Sequence, residues 1–184
     1  MSLPARHSNG DADLIATDFT GITADLAERG FGVSDELLPP ALLAALRRRL
    51  LQLIAAGVPH AARVGERQRP QRDAAIRGDD IAWLDASVNS AERDCLLYFD
   101  AIRLQLNRYL MAGLQSVEAH FAHYPPGSHY ARHFDTHRAG SERAISLVLY
   151  LNNNCKIATL ALYVSIRPTR PMRPLTSSRR AVDW

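Results

Sequence analysis

Near Gly113 the spacing of apolar residues changes from every third or fourth position to every second, and this change constrains the fold most. Before it, the pattern is helical. Asp18 to Arg29 reads as a first helix with Ile22 and Leu26 on one side and Gly30 as its stop. Phe31 to Val33 reads as a brief extended piece. Pro39-Pro40 then opens a stronger helix, with Leu42, Leu43, Leu46, Leu50, Leu53 and Ile54 in one stripe and Gly57 at its end. Arg47, Arg48 and Arg49 lie on this helix and read as a solvated face. Residues 58–74, rich in Arg and Gln, read as a mobile loop. Ser90 to Met111 reads as a third helix, capped by Ser90 and closed by Gly113, with Cys95, Phe99, Ile102, Leu106, Tyr109 and Leu110 facing a core.

After Gly113 the pattern is that of strands. Val117, Ala119 and Phe121 alternate with Glu118, His120 and Ala122, and Tyr124-Pro125-Pro126-Gly127 is a turn. Ser128 to Asp135 is a second extended run. Ile145, Leu147, Leu149 and Leu151 line one face of a further strand, with Ser146, Val148 and Tyr150 on the other. Helices followed by strands give an α+β fold, with helices packed on one sheet. The 184 residues, 47% of them hydrophobic, suit a single domain with a core of its own. Within it, residues 17–112 form a helical support region, 113–152 a β core and 153–184 a basic tail.

Charge and cysteine usage narrow the function classes. The formal charge is +3, but residues 153–184 carry +5 and residues 1–152 carry −2. The basic excess belongs to the tail, so the folded part is not expected to bind nucleic acid. The first ten residues hold no apolar signal segment, and no apolar run approaches the roughly 18 residues of a membrane span. Cys95 and Cys155 match no metal-ligand spacing and make no disulfide framework. A cytoplasmic location and no membrane partner are the expectations.

The stretch from His123 to Asp135, His-Tyr-Pro-Pro-Gly-Ser-His-Tyr-Ala-Arg-His-Phe-Asp, carries the chemistry. On a strand, His133 and Asp135 project to the same side. An imidazole and a carboxylate so placed can take two adjacent positions of a metal. A second His would complete the 2-His-1-carboxylate triad of non-haem Fe(II). Alone, His-x-Asp recurs by chance, so its context has to carry the argument.

That context resembles the prolyl 4-hydroxylase superfamily of Fe(II)/2-oxoglutarate-dependent dioxygenases, most of all the hypoxia-sensing prolyl hydroxylases and their bacterial relatives. The likeness rests on Tyr124-Pro125-x-Gly127, Tyr130, His133-x-Asp135, Arg143 and Tyr150-Leu151-Asn152. Upstream it rests on Arg77-Gly78-Asp79, and it covers roughly residues 17–152. The resemblance implies a double-stranded β-helix (jelly-roll) core supported by the N-terminal helices. It implies Fe(II), 2-oxoglutarate and oxygen, L-ascorbate as reductant, and a protein substrate with a target prolyl residue. It implies His133 and Asp135 as metal ligands, and Tyr124 and Tyr150 in the cosubstrate pocket. It places Arg77, Asp79 and Arg143 at the pocket mouth, where they read equally as substrate contacts or as structural ion pairs. Asp79 and Arg143 are expected to approach each other there. Tyr130 reads as packing; His120, His123 and His129 read as surface or loop residues.

The likeness stops after Asn152. The family's third ligand is a later His, followed by an Arg that pairs with the far carboxylate of 2-oxoglutarate, usually after a Gly-rich turn. Here the last His is His137 and the last Gly is Gly140. On one strand His133 and His137 would be roughly 13 Å apart, whereas ligand atoms on one metal sit roughly 3 Å from each other. Arg167, Arg170 and Arg173 follow with nothing in the sequence to fix their place. Ala158 to Val164 reads as one strand and the rest of the tail as disordered. The expectation is an incomplete β-helix, impaired in catalysis and marginally stable, with the apolar face of Ile145 to Leu151 uncovered. The change of composition fits a frameshift, a rearrangement or a truncated paralogue. The alternative function is a degenerate, non-catalytic domain that binds a protein partner.

Overall fold

The computed structural model describes residues 19–62, 77–131, 144–152 and 159–168. Its helices are α1 (Thr20–Arg29), α2 (Pro40–Ala55) and α3 (Ser90–Leu110). Its strands are β1 (His60–Ala61), β2 (Asp80–Trp83), β3 (Leu114–Tyr124), β4 (Ile145–Tyr150) and β5 (Thr159–Pro168). The strands form one antiparallel sheet in the order β1-β2-β3-β5-β4. The helices pack on one face of it, so these residues form the expected α+β combination of helices on one sheet, and the sheet is antiparallel.

The helix boundaries follow from local chemistry. Gly30, at φ 78°, closes α1 through its N–H to the Leu26 carbonyl. Pro40 occupies the first turn of α2, where a missing N–H costs nothing. The cap of α3 is Asn89, not Ser90: its side chain accepts from the Ala91 N–H at 2.9 Å. At the other end of α3, Asn107 grips Leu114 twice, donating to its carbonyl at 2.8 Å and accepting from its N–H at 2.7 Å. That clamp fixes where β3 starts. Phe31 to Val33 joins no strand.

The core lies between α2, α3 and the sheet. Leu42, Leu46, Leu50 and Leu53 bury the predicted stripe of α2 against Phe99, Ile102 and Leu106 of α3 and Phe121 of β3. Each such side chain contributes about 1.5–3 kcal/mol by leaving water. Tyr109, expected in the core-facing stripe of α3, is exposed. The arginine run of α2 is not wholly solvated either. Arg49 donates to Glu92 at 2.5 Å, and the other Glu92 oxygen accepts from the Asp85 N–H at 2.7 Å. Glu92 is buried in the first turn of α3, so its charge is met by a guanidinium and by the helix dipole.

The largest departure from expectation is β5. The sequence reading ends its strand at Val164 and treats the segment as a tail. The structure extends the strand to Pro168 and seats it between β3 and β4, where it pairs with both. Val164 and Ile166 are buried in the core. Ile145, Leu147 and Leu149 pack on the same core, and Leu151 is fully buried in it. The face expected to lie open is partly covered: Leu151 is buried, and Ile145, Leu147 and Leu149 are half-buried.

Candidate functional site

The face of the sheet turned away from the helices carries the polar groups. Register places Trp83, His120, Tyr163 and Val148 in one cross-strand row. The next row is Ile81, Ala122, Ala161 and Tyr150. Tyr124 lies two residues beyond Ala122, on the same side.

His120 stacks flat on the Tyr163 ring, with centroids 5.3 Å apart and an interplanar angle of 8°, and Trp83 covers it at 4.9 Å. His120 is buried, not a surface or loop residue; both faces of β3 are covered near it. Tyr124 and Tyr163 bring their hydroxyls to 3.0 Å from each other. Between them lie Ala122 and Ala161, both fully buried, in a second cluster with Tyr124. Small side chains at that cross-strand pair let the two longer rings bend toward one another.

The Arg77-Gly78-Asp79 segment borders this cluster. Arg77 donates to the two Asp79 oxygens at 2.7 and 3.0 Å, and the Asp79 side chain is wholly buried. The Arg77 guanidinium also lies 4.8 Å from the Tyr130 ring centroid, and Arg77 and Tyr130 form a backbone bridge. Gly78 is favoured by closeness: a Cβ there would meet Ser128 and the His129 carbonyl tightly, at 3.2 and 3.3 Å. Its N–H donates to that carbonyl. The segment thus holds the chain at Tyr130, three residues before His133.

The electrostatics follow from burial. Burial acts to lower the Arg77 guanidinium, but the hydrogen bonds and charge of Asp79 outweigh it and hold the group above its ordinary value. Burial pushes the Tyr124 phenol far above the ordinary range, and its bond to Tyr163 adds to this. Tyr163 is raised as well, by burial first, while the bond to Tyr124 acts to lower it. Both phenols stay protonated at neutral pH, and the Arg77–Asp79 pair has no net charge. The arrangement suits donation of hydrogen bonds to an anion, not proton abstraction.

Of the residues the sequence singles out, Tyr124, Arg77 and Asp79 come together. Tyr150 is on the same face, half exposed and close enough to Tyr163 to raise it electrostatically. His133, Asp135 and Arg143 lie outside the described residues, as do His137, Arg170 and Arg173. The Asp79 partner seen here is Arg77. Arg167 pairs with Glu118 at the opposite end of β3 and β5 from Tyr124, so it does not reach the phenol pair. An open cleft of about 500 Å³ at that end is lined by Trp83, Leu84, Leu96, Glu118 and Arg167, and Trp83 separates it from the His120–Tyr163 stack. Trp83, His120 and Tyr163 were missed by the sequence reading. The alternation of Leu160, Leu162, Val164 and Ile166 with Ala161, Tyr163 and Ser165 is the signal for Tyr163.

Solved structures place this arrangement in a known context. A Pseudomonas putida prolyl-4-hydroxylase is 27% identical, with a TM-score of 0.71, over 80% of this chain and 97% of its own. The chain has a prolyl hydroxylase-like fold. A prolyl hydroxylase in complex with a hypoxia inducible factor oxygen degradation domain peptide fragment, from Trichoplax adhaerens, shares that fold at 19% identity and a TM-score of 0.65. That match covers 89% of this chain and 84% of the other. No protein-family model and no curated protein sequence matches the chain. Within the prolyl hydroxylase-like fold, no helix among the described residues is long and apolar enough to cross a membrane.

Proposed function

We propose that the chain carries the site of an Fe(II)- and 2-oxoglutarate-dependent dioxygenase acting on a prolyl residue of a protein, in a form impaired for turnover. The reading places the sheet within a double-stranded β-helix. The observation that carries it is the phenol cluster of Tyr124 beside the Arg77–Asp79 pair, within a fold similar to that of a bacterial prolyl-4-hydroxylase.

The donor set fits the cosubstrate: neutral phenols on one face can receive a carboxylate, and Asp79 occupies the Arg77 guanidinium so that charge there is balanced. Tyr124 and Tyr150 would hold 2-oxoglutarate by their hydroxyls. His133 and Asp135 would hold the iron; among the described residues no three His, Cys, Asp or Glu side chains gather for a metal. When bound, iron with oxygen supplies the oxidative decarboxylation of 2-oxoglutarate to succinate coupled to hydroxylation, with ascorbate as reductant. The protein's own part is to orient the carboxylate, and to keep water from the phenols by the packing of Ile81, Ala122 and Ala161.

Impairment follows from the ligand inventory. Within these residues no His follows His137, and Arg167 is engaged with Glu118. Two metal ligands hold iron less firmly than three. Each hydrogen bond to a charged group is worth about 1.5–3 kcal/mol, so a site without a bidentate arginine, as among the described residues, binds the cosubstrate more weakly. The test is succinate release with added Fe(II), ascorbate, 2-oxoglutarate and a prolyl peptide, against His133→Ala. Succinate at the level of that control is expected, with 2-oxoglutarate still bound detectably. Succinate above it overturns the impairment, and no detectable binding overturns the site.

A further inference from the structure

We infer that Tyr163, on the strand beyond the family motifs, supplies the leading hydrogen-bond donor to the far carboxylate of the 2-oxo dicarboxylate cosubstrate. This rests on the dioxygenase reading above and adds a residue to its site.

Geometry carries the inference. Tyr163 stands opposite His120 in the register and Tyr124 stands opposite Thr159, four residues along each strand, a separation of roughly 13 Å. The two phenols nonetheless meet at 3.0 Å, above the Ala122 and Ala161 pair. Two neutral phenols own two protons, and their mutual bond uses one. Tyr124 is buried, whereas Tyr163 is partly open. Either hydroxyl can donate in that bond, and the proton left over is reached by a ligand from the more open side, that of Tyr163. A hydroxyl that accepts one hydrogen bond donates another more strongly. The ring is held by its stack on His120, itself covered by Trp83, so little side-chain freedom remains to be lost on binding. The other cation described on this face beyond Arg77 is Arg167, which is joined to Glu118 at the far end of the strand. A carboxylate entering the Tyr124 end therefore meets phenol donors, with Tyr163 foremost.

The experiment is calorimetric titration of 2-oxoglutarate in the presence of Mn(II), on the wild-type chain, Tyr163→Phe and Tyr109→Phe. Tyr109 is exposed on α3 and serves as control. Pyruvate, which has the 2-oxo acid but no far carboxylate, is titrated alongside. Tyr163→Phe should bind 2-oxoglutarate roughly tenfold to a hundredfold more weakly, with pyruvate unchanged and Tyr109→Phe like wild type. Equal 2-oxoglutarate affinity in Tyr163→Phe overturns the inference and leaves the dioxygenase reading intact. Equal losses for both ligands assign Tyr163 a purely structural role and also overturn it. A wild-type chain that binds no 2-oxoglutarate overturns both. A second measurement covers a Tyr163→Phe chain that does not fold: 3-fluorotyrosine placed at position 163 alone. Its fluorine resonance should move with 2-oxoglutarate and not with pyruvate; an unmoved resonance overturns the inference.

Discussion

Arg77 and Asp79, two residues apart in sequence, close a bidentate ion pair at 2.7 and 3.0 Å, with the carboxylate wholly buried. The pair is worth less than its Coulomb energy suggests, because both charges leave water to form it. Removing one partner is another matter. Asp79→Ala leaves a guanidinium stranded against Tyr130 and should cost about 3–5 kcal/mol in urea unfolding. Arg77→Lys keeps the charge, loses the fork and should cost less. The double replacement Arg77→Met with Asp79→Leu should recover most of the loss. A coupling energy near zero in the cycle that this double variant forms with Arg77→Met and Asp79→Leu alone would contradict the described geometry.

Alkaline pH should destabilise the protein in a defined order. Burial, with the charge of Glu92 as a smaller cause, pushes the Cys95 thiol up from 9.0 to about 12. Burial likewise raises Tyr124 and Tyr163 above the phenol value of 10.0. The native state therefore keeps protons that the unfolded chain releases. The stability these groups confer is fully present below about pH 9 and declines as pH rises beyond it, first through Cys95 and then through the two phenols. Urea midpoints measured across this range should fall, and Cys95→Ala should delay the onset of the fall. The buried Tyr124 phenol should contribute phenolate absorbance only on unfolding.

Ile166 is fully buried beneath α3 and the sheet, on a segment that matches no family motif. Ile166→Ala should cost about 2–5 kcal/mol, read as a lower denaturation midpoint. Ending the chain at Asn152 removes β5 and leaves β3 and β4 without their shared neighbour. That variant should unfold without a sharp transition and bind a hydrophobic dye. An unchanged transition in either variant would mean that β5 does not hold the place described for it.

The stripes of α2 and α3 were legible because a 3.6 period and a capped start leave few alternatives, and Leu42, Leu46, Leu50 and Phe99 are buried as their spacing implies. The two sides of β4 were legible from alternation alone. What the sequence hid was partnership. Nothing in the Arg47-Arg48-Arg49 run marks Arg49 as the partner of Glu92, 43 residues on. His120 sits on what reads as the solvent side of β3, and its burial depends on Trp83 and Tyr163 from two other strands. Tyr163 was passed over because its segment lacks motifs, although its alternation is as regular as that of β4. The phenol pair needs the register of β3 against β5, which no local pattern supplies.

The strand order has a kinetic consequence. β4 precedes β5 in the chain, yet among the described strands its ladder runs to β5 alone, and β5 in turn joins β3. Assembly should therefore start with the β4–β5 hairpin, whose closure spans a short loop, and finish with docking of that hairpin on β3 through β5. Until then β3 presents a bare edge next to α3. Substitutions at the β4–β5 contact should slow folding, whereas substitutions at the β3–β5 contact should mainly speed unfolding. The residues that build the phenol pair would then meet only in the last step, so the site and the finished fold arise together.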